Sequence, residues 1–326
     1  MDGLPERLLI QRIDDLPVQT LGARVIGRVR KIERPLSSLF IDLGGGPDAV
    51  LALNGPAAGL AEGGIVEVEI TAQARRDKGA AVRLAGPAEG PPRLLQAAPS
   101  LSDRLRGFAP GVTLVEGSAA REAADIAEAA ALAVEHALPG GGLIAIEPTR
   151  ALTAVDVDLR AGDGDARRGA RRINLAAIEH AARLLRLKAL GGLIVIDLVG
   201  AGHDGAALAA AAKAAFAADE PGVSIGPVSR FGLLQLALPR RERPVGEVLC
   251  DSDGLPTSAT TALRLLRALE REGRADGGAR LEGRCAPAAA AAASPYIFML
   301  RDRIGGRFEI RADASMAVGQ FEVFTR

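Results

Sequence analysis

Three aspartates, Asp156, Asp158 and Asp197, stand out by type and spacing as residues that could do chemistry together. Asp156 and Asp158 close the apolar run Leu152-Thr153-Ala154-Val155-Asp156-Val157-Asp158, and Asp197 closes Gly192-Leu193-Ile194-Val195-Ile196-Asp197. Two residues apart on a strand, Asp156 and Asp158 share a face. Carboxylates brought close together repel one another unless a cation joins them. Mg²⁺ held by one or two carboxylates, with water and phosphate in its other positions, is the usual solution. A strand also ends on Asp when a turn simply follows, so either residue alone has that plainer reading. The pair, each member after a β-rich run, points to a metal site without saying what it cleaves.

The elements that position these residues are legible between them. Ile173, Ala177, Ala181, Leu184 and Leu187 repeat at helical spacing, with Glu179, Arg183 and Arg186 off that stripe. The Gly191-Gly192 pair stops the helix. The unit is strand–helix–strand, and its right-handed crossover makes the strands parallel neighbours, about 4.8 Å apart. Asp156 and Asp197 are then expected side by side at the carboxyl edge of the sheet, where open α/β sheets bind ligands. At the helix entrance Arg167, Arg168, Arg171 and Arg172 share one face. They form either a phosphate-binding patch or a solvated face balanced by Asp163 and Asp165.

The chain has 326 residues, enough for two or more domains, and its 40 basic and 40 acidic residues leave no net charge. Nucleic-acid binding would therefore have to come from local patches. No run of eighteen apolar residues and no basic-then-apolar leader is present, so a soluble, cytoplasmic protein away from membranes is expected. Cys250 and Cys285 are too far apart for a zinc finger and too few for a disulfide framework.

Before the aspartates, short strands are expected over Ala23–Ile32, Leu39–Leu43, Ala49–Leu53, Val66–Ala72 and Ala80–Leu84, separated by glycine-rich turns. Five such strands suit a small barrel of the OB type. A Pro/Gly-punctuated stretch follows, then an Ala-rich helix over Ala119–Leu138 that would contain His136. His180 falls in the helix between the aspartates. His203, in the loop after Asp197, is a weak candidate base or a solvent-exposed loop residue. Arg230 ends another strand and is either a phosphate clamp, since guanidinium can pair two phosphate oxygens, or a partner of a core carboxylate. Further on come a helix around Thr260–Glu272, an alanine run over Ala286–Ala293 read as a linker or helix end, and strands over Tyr296–Leu300, Arg307–Ala312 and Phe321–Phe324.

Three stretches follow one another along the chain: Leu138-Pro139-Gly140-Gly141-Gly142-Leu143-Ile144-Ala145-Ile146 running into Leu152–Asp156, Asn174–Ala177 through Arg183–Asp197, and Ser229-Arg230-Phe231-Gly232-Leu233-Leu234. In this order they resemble the ribonuclease E/G family. The stretches Gly27–Pro35, Phe40–Gly44 and Asp77–Ala81 are similar to its N-terminal RNA-binding domain. The resemblance implies a Mg²⁺-dependent endonuclease (Mn²⁺ the alternative ion) acting on single-stranded RNA, with metal ligands Asp156 and Asp197. Asp158 stands where the family has asparagine and adds a negative charge there. Phe40 and Lys78 match RNA-contacting residues, whereas Val50 replaces a second aromatic. Phe40 is either that stacking platform or plain barrel core.

The implied architecture is α/β. It comprises an OB-type barrel over 1–88, a shortened connector with the Ala-rich helix over 89–142, a deoxyribonuclease-I-like α/β nuclease core over 143–245 and a small α+β unit over 246–326. The connector is too short for the family's ribonuclease-H-like segment and its 5′-monophosphate sensor, so cleavage independent of a 5′-monophosphate is implied. Cys250-Asp251-Ser252-Asp253 keeps half of the family's Cys-x-x-Cys, so no structural zinc and no zinc-linked tetramer is expected, leaving a monomer or dimer. The rival reading is a non-catalytic RNA-binding protein that kept the fold. A metal-dependent phosphatase or deoxyribonuclease is a third, against which the OB-type barrel argues.

Overall fold

A computed structural model of the chain describes residues 3–75, 78–159 and 166–326, the side chains of 166–168 excepted. The chain is α/β and forms two compact units, Met1–Val245 and Gly246–Arg326.

The first unit opens with six strands: β1 (Arg24–Glu33), β2 (Ser38–Asp42), β3 (Ala49–Ala52), β4 (Ile65–Ala72), β5 (Ala81–Pro87) and β6 (Arg93–Gln96). Five match the strands expected from the sequence. β6 lies in the stretch read as connector and pairs with the start of β1, its four residues being too short to show a period. Pairings run β1–β2, β2–β3, β3–β5, β5–β4 and β4–β1, a circuit that returns to its start. Alternation sends Val25, Val29, Leu39, Ile41, Leu51, Val66, Val68, Ile70 and Val82 into one core.

After α1 (Leu101–Phe108) and α2 (Gly117–Leu132) comes a second six-stranded sheet: β7 (Glu135–Leu138), β8 (Gly142–Pro148), β9 (Thr153–Leu159), β10 (Gly192–Asp197), β11 (Ser224–Val228) and β12 (Leu233–Leu238). Their order is β11-β12-β10-β9-β8-β7. α3 (Ala166–Leu187) connects β9 to β10, and α4 (Gly205–Ala215) connects β10 to β11. The expected stripe is right: Ile173, Ala177, Ala181, Leu184 and Leu187 are wholly buried. α3 packs on β9, β8 and β7, and α4 packs on α3 and β11.

The Ala-rich helix stops at Leu132, six residues before the end expected for it, and His136 lies in β7 rather than in a helix. Alanine composition continues past Leu132, but Glu135–Leu138 pairs with Gly142–Ala145 across a turn in which Gly140 and Gly141 take positive φ. The carbonyls of Ala131 and Ala133, where α2 ends, accept the ammonium of the buried Lys188. Burial, helped by that nearby ammonium, pushes the His136 imidazole down to about 4. The unfolded chain therefore takes up a proton below about pH 6.5 that the folded chain refuses until about 4, and stability is lost through that window as pH falls. Urea midpoints at pH 7 and 4.5 are expected to drop less for His136→Gln than for the wild type. An equal drop would contradict this placement.

Contacts within the first unit tie its two sheets together. Gln73 N donates to Arg241 O (2.8 Å), Arg243 pairs with Asp15 (2.5 Å) and Arg104 with Glu242 (2.6 Å).

The second unit begins within α5 (Val245–Leu249), followed by α6 (Ser258–Ala275), β13 (Leu281–Cys285), α7 (Pro287–Ala293), α8 (Ile297–Ile304), β14 (Phe308–Ala312) and β15 (Phe321–Thr325). β13 is the centre of a three-stranded sheet whose apolar face packs with α6, α7 and α8. The strand expected over Tyr296–Leu300 is instead helical. Ser294-Pro295 opens a helical turn there, and Leu300 and Ile304, four residues apart, both enter the core. The alanine run is α7, which buries Ala289 and Ala293. No helix among the described residues is long and apolar enough to cross a membrane.

Candidate active site

β9 and β10 are parallel neighbours, and their register sets Asp156 directly beside Asp197. In β9, Val155 and Val157 are buried under α3 while Asp156 and Asp158 are exposed. In β10, Ile194 and Ile196 are buried while Asp197 is exposed. The three carboxylates therefore stand on the face of the sheet turned away from α3 and α4. The pair is side by side as expected, and Asp197 is the last residue of its strand. Asp156 is followed by three more strand residues, so the two carboxylates lie on an exposed sheet face beside the carboxyl end of β10.

A fourth carboxylate, Glu147 on β8, joins this face. Ala145 pairs with Asp156 and Glu147 lies two residues farther along the same face. Sequence reading missed it because the antiparallel register of β8 on β9 has no local signature. Burial raises the Asp156 carboxyl above its usual range, and the charges of Asp158, Asp197 and Glu147 push it further. Among the described residues no three His, Cys, Asp or Glu side chains converge closely enough to hold a metal ion between them. The in-register pair offers oxygen donors only, and its excess of negative charge suits a hard cation that keeps water or phosphate in its other positions.

Arg171 and Arg172 are exposed. Arg171 pairs with Asp204 (3.6 Å), and Arg172 donates to Gly140 O (3.3 Å). The side chains of Arg167 and Arg168, and Asp163 and Asp165 entirely, lie outside the described residues.

Arg230 and Phe231 form the tip of the turn between β11 and β12. Among the described residues no carboxylate pairs with Arg230. Its guanidinium lies 4.7 Å from the centroid of the Phe231 ring. β12 begins at Leu233, which pairs with Asp197, and Leu198 N donates to Gly232 O (3.2 Å). His203 is half-buried, against the expectation of a solvent-exposed loop residue. A Cβ built on Gly232 (φ +84°) would lie 3.1 Å from its Nε2.

In the N-terminal sheet Phe40 alternates with the buried Leu39 and Ile41, so its partly exposed ring lies on the outer side and not in the core. Its register neighbours are Lys31 on β1 and Val50 on β3. Lys78 is exposed where its backbone pairs with Arg75, while Arg76 and Asp77 lie outside the described residues. Cys250 and Cys285 are free thiols, the latter buried.

Residues 108–242 match the ribonuclease E/G family, and this segment holds all three aspartates and the Arg230–Phe231 turn. The chain is 35% identical over 150 residues to ribonuclease E of Escherichia coli (strain K12), which covers 42% of this chain and 14% of that protein. It is 34% identical over 149 residues to ribonuclease E of Haemophilus influenzae, covering 42% of this chain and 16% of that protein. Against ribonuclease G of Salmonella typhimurium it is 30% identical over 118 residues, 35% of this chain and 24% of that protein. The chain thus matches well under a third of the length of each of these relatives.

Proposed function

Starting from residues 108–242 as a ribonuclease E/G family segment, we propose that the chain is a metal-dependent endoribonuclease that hydrolyses phosphodiesters in single-stranded RNA. The observation that carries this reading is the in-register pair Asp156–Asp197 on an open sheet face. These two residues would hold Mg²⁺, or Mn²⁺ in its place. When bound, such an ion neutralises charge on the reacting phosphate and lowers the pKa of a bound water. Arg230 pairs phosphate oxygens of the incoming strand, and Arg171 and Arg172 supply further positive charge from α3. Asp158 orients the attacking water or takes its proton. The water oxygen bonds to phosphorus as the P–O bond to the leaving ribose breaks, and the departing ribose oxygen takes up a proton from solvent water.

The circuit of pairings in the N-terminal sheet supports an OB-type barrel, with Phe40 as a base-stacking platform and Lys78 on the RNA backbone. The open-faced sheet supports a deoxyribonuclease-I-like core over 143–245, joined to the barrel through the connector 89–142. Neither a zinc link nor a 5′-monophosphate sensor is expected in this chain. RNA substrates differing only in a 5′-monophosphate or 5′-triphosphate are expected to be cut at equal rates, and the corresponding duplex is expected to resist. A strong preference for the monophosphate would contradict independence from that end, and equal cutting of the duplex would contradict the single-strand reading.

Phe40→Ala is expected to weaken binding of single-stranded RNA by about 1–3 kcal/mol, the worth of one stacked base. Fluorescence anisotropy in EDTA checks this without cleavage. Unchanged affinity would remove Phe40 from the interface.

A further inference from the structure

We propose that Phe231 is a second base-stacking platform, one that holds the nucleobase next to the scissile phosphate and so sets base preference at the cut. The inference rests on the nuclease reading above for where the cut falls, but the stacking itself does not need cleavage. The Phe231 ring is 71% exposed, so it contributes little to any core. An aromatic ring left in water at that level has a face available for another flat group.

The turn that carries the ring is fixed on several sides. Ser229 N donates to Leu233 O (2.9 Å) and Gly232 N donates to Ser229 O (3.0 Å). Ser229 Oγ accepts from the N–H groups of Phe231 (3.3 Å) and Leu233 (3.2 Å). Leu198, the residue after Asp197, donates to Gly232 O. His203 fills the space behind Gly232, and its buried Nε2 has no hydrogen-bond partner among the described residues. Phe231 thus sits on a pinned tip two residues from Leu233, the register partner of Asp197.

The Arg230 guanidinium covers one face of the ring, 4.7 Å from its centroid. The opposite face is left for a base, making an Arg–Phe–base stack in which the cation also reinforces the aromatic contact. Because the same guanidinium is the candidate phosphate clamp, the base and its phosphate would be gripped from one turn. Purines, with the larger stacking surface, are the bases such a platform favours.

The test walks a single abasic nucleotide along a short single-stranded RNA. Affinity is read by anisotropy in EDTA and cleavage of the same strands in Mg²⁺. With the wild type, one abasic position near the cut is expected to lose roughly ten-fold in affinity. With Phe231→Ala the intact strand loses that factor and the abasic position costs nothing more, whereas Phe231→Trp restores the wild-type pattern. A position-specific penalty that persists in Phe231→Ala, or a wild type whose every penalty is abolished by Phe40→Ala instead, would overturn the platform. Failure of the wild type to cut any strand in Mg²⁺ would remove the nuclease reading, and with it a role at the cut, while a Phe231-dependent penalty in EDTA would still establish the stacking.

Discussion

Asp156→Asn and Asp197→Asn are each expected to slow RNA cleavage by about a thousand-fold. Loss of a metal's charge stabilisation is worth several kcal/mol, and about 4 kcal/mol corresponds to that factor. The double variant is expected to be no slower than either single one, because removing one ligand already removes the ion both hold. Rate losses that multiply in the double variant would mean that the two carboxylates act independently. Stability is expected to move the other way. Burial and neighbouring negative charges hold the Asp156 carboxyl above its usual range, so neutralising it relieves repulsion in the metal-free protein. Asp156→Asn is therefore expected to unfold at the same or a higher urea concentration than the wild type, a trade of function against stability. Asp158→Asn, which lowers charge beside the pair without removing a proposed ligand, is expected to weaken Mg²⁺ binding and, because an amide can still orient the water, to keep cutting at saturating Mg²⁺. Loss of cutting there would mean that Asp158 takes the water's proton.

The second large effect is expected at Gly79→Ala. A Cβ there would lie 1.8 Å from Asp48 O and 2.9 Å from Asp48 C. These are backbone atoms, so no side-chain rotation relieves the clash. The approach is close because β3 and β5 meet here in parallel, with Val50 N donating to Ala80 O at 2.7 Å and Val50 paired with Ala81. Adding one methyl must push 78–80 away from 48–49 and open the pairing circuit. The expected loss of unfolding free energy is about 3 kcal/mol, the upper part of the range for overpacking. Affinity for single-stranded RNA is expected to fall with it, because Lys78 moves. Gly59→Ala, where nothing lies within 4 Å, is the control and is expected to change stability by under about 0.5 kcal/mol. If Gly79→Ala were as stable as the wild type, this register would be wrong.

What the sequence disclosed about this site follows from local periods. The stripe from Ile173 to Leu187 and the glycine pair after it defined a helical crossover, and handedness then required parallel neighbouring strands. That chain of inference reaches the Asp156–Asp197 pair from local pattern alone. Glu147 was beyond it, because its place depends on how β8 registers on β9 across a bend at 149–152. The exposed face was likewise hidden: periodicity shows which residues alternate, but not which side of this sheet α3 and α4 cover. His136 and Tyr296 were misplaced for a shared reason. Alanine-rich or apolar surroundings extended one local preference past the point where hairpin pairing, or burial of Leu300 with Ile304, took over. Phe231 carried a usable signal, an aromatic between arginine and glycine in a tight turn, which is a poor place to bury a ring.

The metal-dependent nuclease reading is tested most directly by incubating an end-labelled, A/U-rich single-stranded RNA with the wild-type chain in Mg²⁺, in EDTA, and beside Asp197→Asn. Internal cuts that appear in Mg²⁺ and vanish in both EDTA and the variant are the predicted result. Equal background from both proteins, with RNA still bound in a salt-dependent way, would contradict it and leave an RNA-binding protein on a nuclease-like fold.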